Sequence, residues 1–485
     1  MNLETCSTSP ATPARIWSSY QLAIFHNIEE GRGHTVVRAR AGSGKTSTIV
    51  EALRHVPAGK SCLLVAFNKS IATELGSRAP QGCEVATLHS YGLRAVQKAF
   101  GKQRVDGKKV ETMARAKYGS DSESWEIRRA LVKIVSLAKG TLADTVEALD
   151  SMADAFGIDL DMTERERAGF LRDCLDVLTD CKRLTGTVDF DDMIWLPVVH
   201  HLKLWQYDRV FVDETQDLNA CQIELALRAV KGTGRICAVG DDRQAIYAFR
   251  GADSNALGNV VERLSAKVMP LSVTYRCARA IVAEAKTLVS DFEWAPDCAE
   301  GEVSGCEWAD MVKDAGPGDF ILSRTNAPLI GLCLGFLREG RRANIQGRDV
   351  GASLTAFVKK SGCLSVDAFR AHVEAWSEAE CARLAKKDRD TQATEDRADC
   401  LLALSEGAQS TAEVLARIEA LFSDTSEGAK IVLSTTHKAK GLERDRVFLI
   451  ADTYRKRPGI EEDNLYYVAV TRARKTLRLV AGKRN

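Results

Sequence analysis

Gly42, Gly44, Lys45 and Thr46 stand together in ARAGSGKTST (Ala39–Thr48), just after the strand-favouring run Thr35-Val36-Val37 and just before the apolar-periodic IVEAL. A strand, a glycine turn and a helix in that order build a loop for phosphate. Gly42 and Gly44 let the backbone turn so that successive N–H groups face one anion. The helix that begins near Lys45 adds the positive end of its dipole. In such a loop Ala41, Gly42, Ser43, Gly44 and Ser47 surround the phosphates, Lys45 reaches the terminal ones, and the Thr46 hydroxyl ligates Mg²⁺. The expected ligand is therefore a nucleoside triphosphate with Mg²⁺. Ala39 stands where the G-x-x-x-x-G-K-[ST] pattern usually has its first glycine.

A second group of residues suits hydrolysis of that ligand. VFVDETQD puts Asp213 and Glu214 at the C-terminal end of a buried type of strand, the end at which α/β sheets present ligand sites. One carboxylate can hold Mg²⁺ while its neighbour orients and deprotonates water. Asp213 is assigned to the metal and Glu214 to the base. Further on, AVGDDRQAIYAFRGAD places Gln244 after a strand and a glycine turn, where it can contact the γ-phosphate. Tyr247, Phe249 and Arg250 follow as an aromatic and basic cluster on which bases can stack. Read alone, core packing of the two aromatics is the favoured reading, since such pairs at i, i+2 are common in strands.

These groups need a scaffold that presents strand ends. SCLLVAF, YDRVFVDE and GRICAVGD are apolar runs, the first two followed by helical patterns, and GDFILSR, AKIVLSTTH, DRVFLIAD and LRLVAG repeat the rhythm. Alternating strands and helices predict parallel sheets covered on both faces. Two α/β domains are expected, with boundaries at 16–92 plus 189–265 and at 266–344 plus 429–485. The charged, helical stretches 93–188 and 345–428 read as insertions, and 1–15 as a disordered lead. Lys102, Lys108, Lys109 and Arg115 in the first insertion suit either a solvated face or a track for phosphates. Asp189 and Asp191-Asp192 are expected to cap the helix that returns to the first domain.

The 485 residues carry a net charge of only +1, so a nucleic-acid site has to be a local patch. The 14 cysteines show neither a C-x-x-C pair nor zinc-ligand spacing, which suits reduced, buried thiols in the cytoplasm. No apolar run approaches the length of a membrane span, about 18 residues.

GSGKT, DETQD and GDDRQAIYAFRGAD, in this order, resemble superfamily 1 helicases of the UvrD/Rep type. SSYQLAIF, VAFNKSIATEL, ATLHSYG, LSVTYRC, STTHKAKGLE and NLYYVAVTRARKTL extend the resemblance from about Tyr20 to Leu479. AFNKS and AFRGAD look closest to the F-box DNA helicase branch, and an A-x-x-G-x-G-K-T loop is ordinary in the superfamily. The resemblance implies two RecA-like P-loop NTPase domains, each with a helical insertion, the second one reduced. It implies ATP as the nucleotide: Gln21 would read the adenine edge, Tyr275 would stack on the base and Glu443 would bond the ribose. Arg276 and Arg472 would be arginine fingers acting across a cleft from Lys45. Phe67, Asn68, Lys69, His89, Tyr247, Phe249, Arg250, His437 and Lys440 would line a groove for single-stranded DNA. The implied activity is 3′→5′ movement on single strands with duplex unwinding, in replication, repair or recombination. The alternative is a translocase that remodels protein–DNA filaments. The implied partners are single strands and single-strand/duplex junctions, met by a monomer in the cytoplasm or nucleoid. The loop's nearness to the first residue leads us to expect no F-box-like extension, and the short stretch beyond TRARKTLRLV no appended nuclease.

Overall fold

The computed structural model describes residues 16–121, 124–158, 162–247, 255–386, 391–422, 430–454 and 459–481. The expected lead, 1–15, lies outside the described residues, as do Phe249 and Arg250.

β1 (Thr35–Ala39), β2 (Cys62–Ala66) and β3 (Cys83–Thr87) lead to the helices Lys45–Arg54, Lys69–Arg78 and Leu88–Phe100. The short parallel pair β4 (Arg104–Val105) and β5 (Thr187–Val188) brackets the first insertion. β6 (Tyr207–Val212), β7 (Val230–Gly240) and β8 (Lys267–Leu271) complete a parallel six-stranded sheet of order β3-β2-β6-β7-β1-β8. Every residue of β2 is buried, as in a strand covered on both faces. β8 lies on β1, with Thr35 opposite Lys267 and Ala39 opposite Leu271. The boundary expected at 265/266 therefore falls one strand too early. KVMPL hides the strand because it contains proline, which only an edge position tolerates.

β9 (Val273–Thr274) and β10 (Glu293–Trp294) form a small parallel pair beyond that edge. β11 (Glu302–Cys306), β12 (Phe320–Ser323), β13 (Ala343–Ile345), β14 (Ile431–Thr435), β15 (Arg444–Ile450) and β16 (Ala473–Val480) make the second parallel sheet, of order β11-β16-β15-β12-β14-β13. Of its edge strands, EVSGC is too polar and ANI too short to stand out in the sequence. The architecture is α/β, with two RecA-like parallel sheets. Helices interrupt each sheet, from Lys109 to Arg183 in the first and from Arg348 to Phe422 in the second. Ala41 and Ile246 of the first unit share an apolar cluster with Cys277, Ile281 and Tyr467, so the two units meet along a packed seam. No helix among the described residues is long and apolar enough to cross a membrane.

Buried charge welds the first insertion to its sheet. Asp189 caps the helix Phe190–Val199 in a capping box with Asp192, whereas Asp191 accepts from Ser136 Oγ at 2.6 Å. Lys109 Nζ lies 2.7 Å from Asp192, and Lys139 Nζ 2.6 Å from Asp189 and 2.8 Å from Asp192. Both lysines are buried, so Lys109 does not face phosphates. Breaking such a pair leaves an uncompensated buried charge. Asp192→Asn is expected to cost about 3–5 kcal/mol, read as a lower denaturant midpoint.

Candidate functional site

The phosphate loop joins β1 to the helix Lys45–Arg54 with Gly42 at φ 69° and Gly44 at φ 80°, a region that costs other residues strain. Gly42 is also pressed from the second unit. A Cβ there would lie 2.4 Å from Arg276 Cβ and 2.6 Å from Thr274 Oγ1, and Tyr275 N donates to Gly42 O at 2.9 Å. Gly42, Ser43, Gly44, Lys45, Thr46 and Ser47 line a cavity of about 750 Å³. Ser43 Oγ is buried there without a hydrogen-bond partner among the described residues. Ala41 is not on the cavity wall, because its N–H donates to the Tyr467 hydroxyl at 2.9 Å.

Asp213 and Glu214 follow β6 and face this loop. Glu214 has φ 50°, a strained conformation of the kind that clusters at functional sites. Its Oε2 lies 3.1 Å from Lys45 Nζ. Burial raises the Glu214 carboxyl, but Lys45 and Lys440 more than offset that, so its pKa is lowered. Burial and then Glu214 push the Asp213 carboxyl up. Burial pulls the Lys45 ammonium down, yet Glu214, Asp241 and Asp213 together leave it raised. The nearby Asp213 carboxylate and Thr46 hydroxyl are hard oxygen donors, few in number and beside a phosphate loop. That set fits Mg²⁺, which completes its shell with substrate phosphates and water.

The opposite wall belongs to the second unit. Tyr275, 46% exposed, and Arg276, Glu443, Arg472 and Arg474 line the same cavity. Arg276 is ion-paired with Glu443. Arg472 is 1% exposed and donates to Val468 O at 2.8 Å, Leu442 O at 3.1 Å and Thr471 Oγ1 at 3.2 Å. Among the described residues no carboxylate pairs with it. Burial first, and Arg276 second, lower its pKa to about 10. Its guanidinium is thus held by neutral oxygens, with Glu443 near enough to act on its charge but paired with Arg276. The helix Ile460–Val470, which delivers Arg472, docks on the first unit. Tyr467 holds the loop amide of Ala41, and Asn464 Nδ2 donates to Asp242 O at 3.3 Å and Ala245 O at 3.2 Å.

Some expected contacts are not assembled here. Gln21 is buried, accepts from Ser18 N at 3.0 Å and donates to Thr48 Oγ1 at 2.9 Å. With both ends of its amide engaged, it stays off the cavity wall. Gln244 is on the wall, its Nε2 donating to Asp241 Oδ2 at 2.7 Å. Phe67, 44% exposed, and Asn68 line the mouth of the cavity, but Asn68 Oδ1 caps the next helix through Ile71 N at 2.9 Å. Lys69 is exposed, and half-buried His89 has its pKa lowered by burial. Tyr247 donates to His437 O at 3.1 Å, at the junction of the two units. Lys440 also lines the cavity. It is half-buried, with Nζ 2.6 Å from Asp217 Oδ1, 2.7 Å from Gln244 O and 4.7 Å from the Tyr247 ring centroid. Its charge is paired across the seam between the units.

Sequence reasoning missed four seam residues: Arg40, Asp217, Asn464 and Tyr467. Arg40, beside the loop glycines, pairs with Asp242 at 2.6 Å and with Asp291 at 2.8 Å. An arginine inside an otherwise apolar and glycine-rich loop was the available signal. Tyr467 reads as core because it sits in the apolar run YYVAV.

A family model described as the UvrD/REP helicase N-terminal domain matches residues 21–264, and one for the UvrD-like helicase C-terminal domain matches residues 430–480. ATP-dependent DNA helicase Rep of Escherichia coli (strain K12) is 27% identical over 294 residues, 54% of this chain and 42% of Rep. F-box DNA helicase 1 of Gallus gallus is 27% identical over 267 residues, 50% of this chain and 25% of that protein. ATP-dependent DNA helicase PcrA of Bacillus subtilis (strain 168) is 24% identical over 293 residues, 53% of this chain and 38% of PcrA. The matched stretch thus spans less than half the length of each of these relatives. The first match takes in the phosphate loop and the Asp213-Glu214 pair, and the second takes in Glu443 and Arg472 across the cavity, so the chain belongs to the UvrD/Rep helicase family of superfamily 1.

Proposed function

We propose that this chain is an ATP-driven motor that moves 3′→5′ on single-stranded DNA and unwinds duplex ahead of it. The observation that carries this reading is Arg472, a buried cation without an anion, facing the phosphate loop across a shared cavity. The γ-phosphate of ATP supplies the missing charge. Lys45 then exchanges Glu214 for the phosphates, and Arg276 exchanges Glu443 for them. Tyr275 offers its exposed ring to the base and Glu443 its freed carboxylate to the ribose. Thr46 and Asp213 would hold Mg²⁺, which neutralises charge building up on the phosphate oxygens. Glu214, released from Lys45, takes a proton from the attacking water as the bond from the γ-phosphorus to the bridging oxygen breaks. Because the cations come from both units, hydrolysis depends on their closure, and closure moves the DNA-facing strand ends relative to one another.

Glu214→Gln tests the base. DNA-stimulated ATP turnover is expected to fall about 100- to 10,000-fold while ATP binding persists. Near-normal turnover would remove Glu214 from that role. Unwinding of duplexes with a 3′ or a 5′ tail tests direction, and activity only from the 5′ tail would reverse the assigned polarity. Stimulated turnover without unwinding from either tail would give the filament-remodelling translocase.

A further inference from the structure

Arg40 stands two residues before Gly42, yet it does not line the cavity. Its backbone is fixed at the root of the phosphate loop: the N–H donates to Leu271 O at 3.0 Å, and the carbonyl accepts from Ser43 N at 3.1 Å. The side chain is buried, and among the described residues it donates only to carboxylates. Nε and Nη2 form a bidentate pair with Asp291, at 2.9 Å and 2.8 Å. Nη1 donates to Asp242 Oδ1 at 2.6 Å and to Asp241 Oδ1 at 3.2 Å. Asp241 and Asp242 follow β7 of the first unit. Asp291 belongs to the second unit, where its neighbour Phe292 joins the apolar cluster of Cys277, Ile281 and Tyr467. Burial by itself would lower the Arg40 pKa, but Asp291, Asp241 and Asp242 outweigh it and leave it raised. One buried guanidinium therefore grips both units from the base of the loop.

Asp241 carries that grip to the cavity. It is fully buried, and its second oxygen, Oδ2, accepts from Gln244 Nε2 at 2.7 Å and from the Tyr467 hydroxyl at 3.4 Å. Gln244 is on the cavity wall. Arg40 thus fixes one edge of the carboxylate whose other edge holds Gln244. The rigid, planar fork of arginine can serve Asp241 and Asp291 at once, and the single ammonium of lysine cannot. We propose that Arg40 is a positioning residue for ATP hydrolysis: it holds Asp241, and through it Gln244, in register with Asp291, so that the amide facing the γ-phosphate is set by the contact between the two units. This deepens the reading of the chain as an ATP-driven motor and rests on it.

The test is a double-variant cycle on ATP turnover, measured with and without a saturating single-stranded oligonucleotide. Gln244 acts on the reacting phosphate, whereas the loop amides and Lys45 bind ATP. The expected signature is therefore a fall in kcat with the KM for ATP kept within about threefold. Asp291→Asn removes only the grip on the second unit and is expected to lower kcat about tenfold. Arg40→Gln frees Asp241 as well and is expected to lower kcat about 100-fold. The double variant is expected to lose no more than Arg40→Gln alone, because the shared contact can be lost only once. Arg40→Lys keeps a charge for Asp241 and is expected to recover turnover to the level of Asp291→Asn. The Asp291 side chain is 49% exposed, so Asp291→Asn keeps the fold and decides the matter if Arg40→Gln does not. Near-normal kcat in Asp291→Asn, losses that multiply in the double variant, or a KM that rises in step with the fall in kcat overturn the proposal. So does a lowered melting temperature with kcat unchanged, the mark of a structural pin. A wild-type chain whose turnover DNA does not stimulate overturns the motor reading instead, and the cycle is then read on the basal turnover.

Discussion

Arg472→Ala is expected to lower DNA-stimulated ATP turnover by about 1,000- to 100,000-fold, the range for an arginine that stabilises phosphoryl transfer. The size follows from its setting. Three neutral oxygens fix the guanidinium, and no carboxylate must be stripped away before it meets phosphate. Its charge is therefore already desolvated and fixed beside the cavity, the condition under which electrostatic stabilisation acts with little reorganisation. Arg276 differs, because Glu443 neutralises it in the absence of nucleotide. Arg276→Ala is accordingly expected to cost less than Arg472→Ala in a side-by-side turnover assay. A second readout separates chemistry from folding. ATP raises the melting temperature of wild type by mass action, and Arg472→Ala is expected to shrink that rise while leaving a cooperative transition. Near-normal turnover in Arg472→Ala would make the residue a structural pin for the Leu442 and Val468 carbonyls.

Gly42→Ala is the second large effect, and it arises from backbone. At φ 69° an alanine is strained, by about 1–2 kcal/mol for the left-handed region. The added Cβ would also lie 2.4 Å from Arg276 Cβ. Neither atom is the end of a flexible side chain, so the loop or the bend carrying Arg276 has to withdraw. Withdrawal opens the cleft between Lys45 and the two arginines. Turnover is expected to fall at least tenfold, since about 1.4 kcal/mol already corresponds to that factor. The KM for ATP is expected to rise with it, because the loop amides and Tyr275 move together. An unchanged KM with unchanged turnover would show that the two units separate without functional cost.

Local chemistry was readable in the sequence because it depends on neighbours along the chain. Gly42 to Thr46 form a loop whose conformation, helix start and charge all come from one short segment, and Asp213-Glu214 ride on the end of their own strand. The alternating apolar runs likewise predicted two parallel sheets. Residues whose roles depend on distant partners were read less well. Lys440 looks like a free surface cation in STTHKAKGLE, yet it is ion-paired with Asp217, more than two hundred positions away. Lys109 looks solvated and is buried against Asp192. Gln21 has its amide taken by Ser18 and Thr48, and Ala41 gives its loop amide to Tyr467. The edge strands β8 and β11 were invisible because half-covered strands need little apolar sequence, and β13, though buried, is only three residues long.

By itself, then, the sequence determined the phosphate loop, the carboxylate pair Asp213-Glu214 and the class of scaffold that presents them. Tertiary structure alone decided which charges stay paired and which stay free. Pairing is a matter of three-dimensional distance and burial, and only the folded chain places Arg472 on one cavity with the loop of ARAGSGKTST, held by carbonyl and hydroxyl oxygens and, among the described residues, without a paired carboxylate.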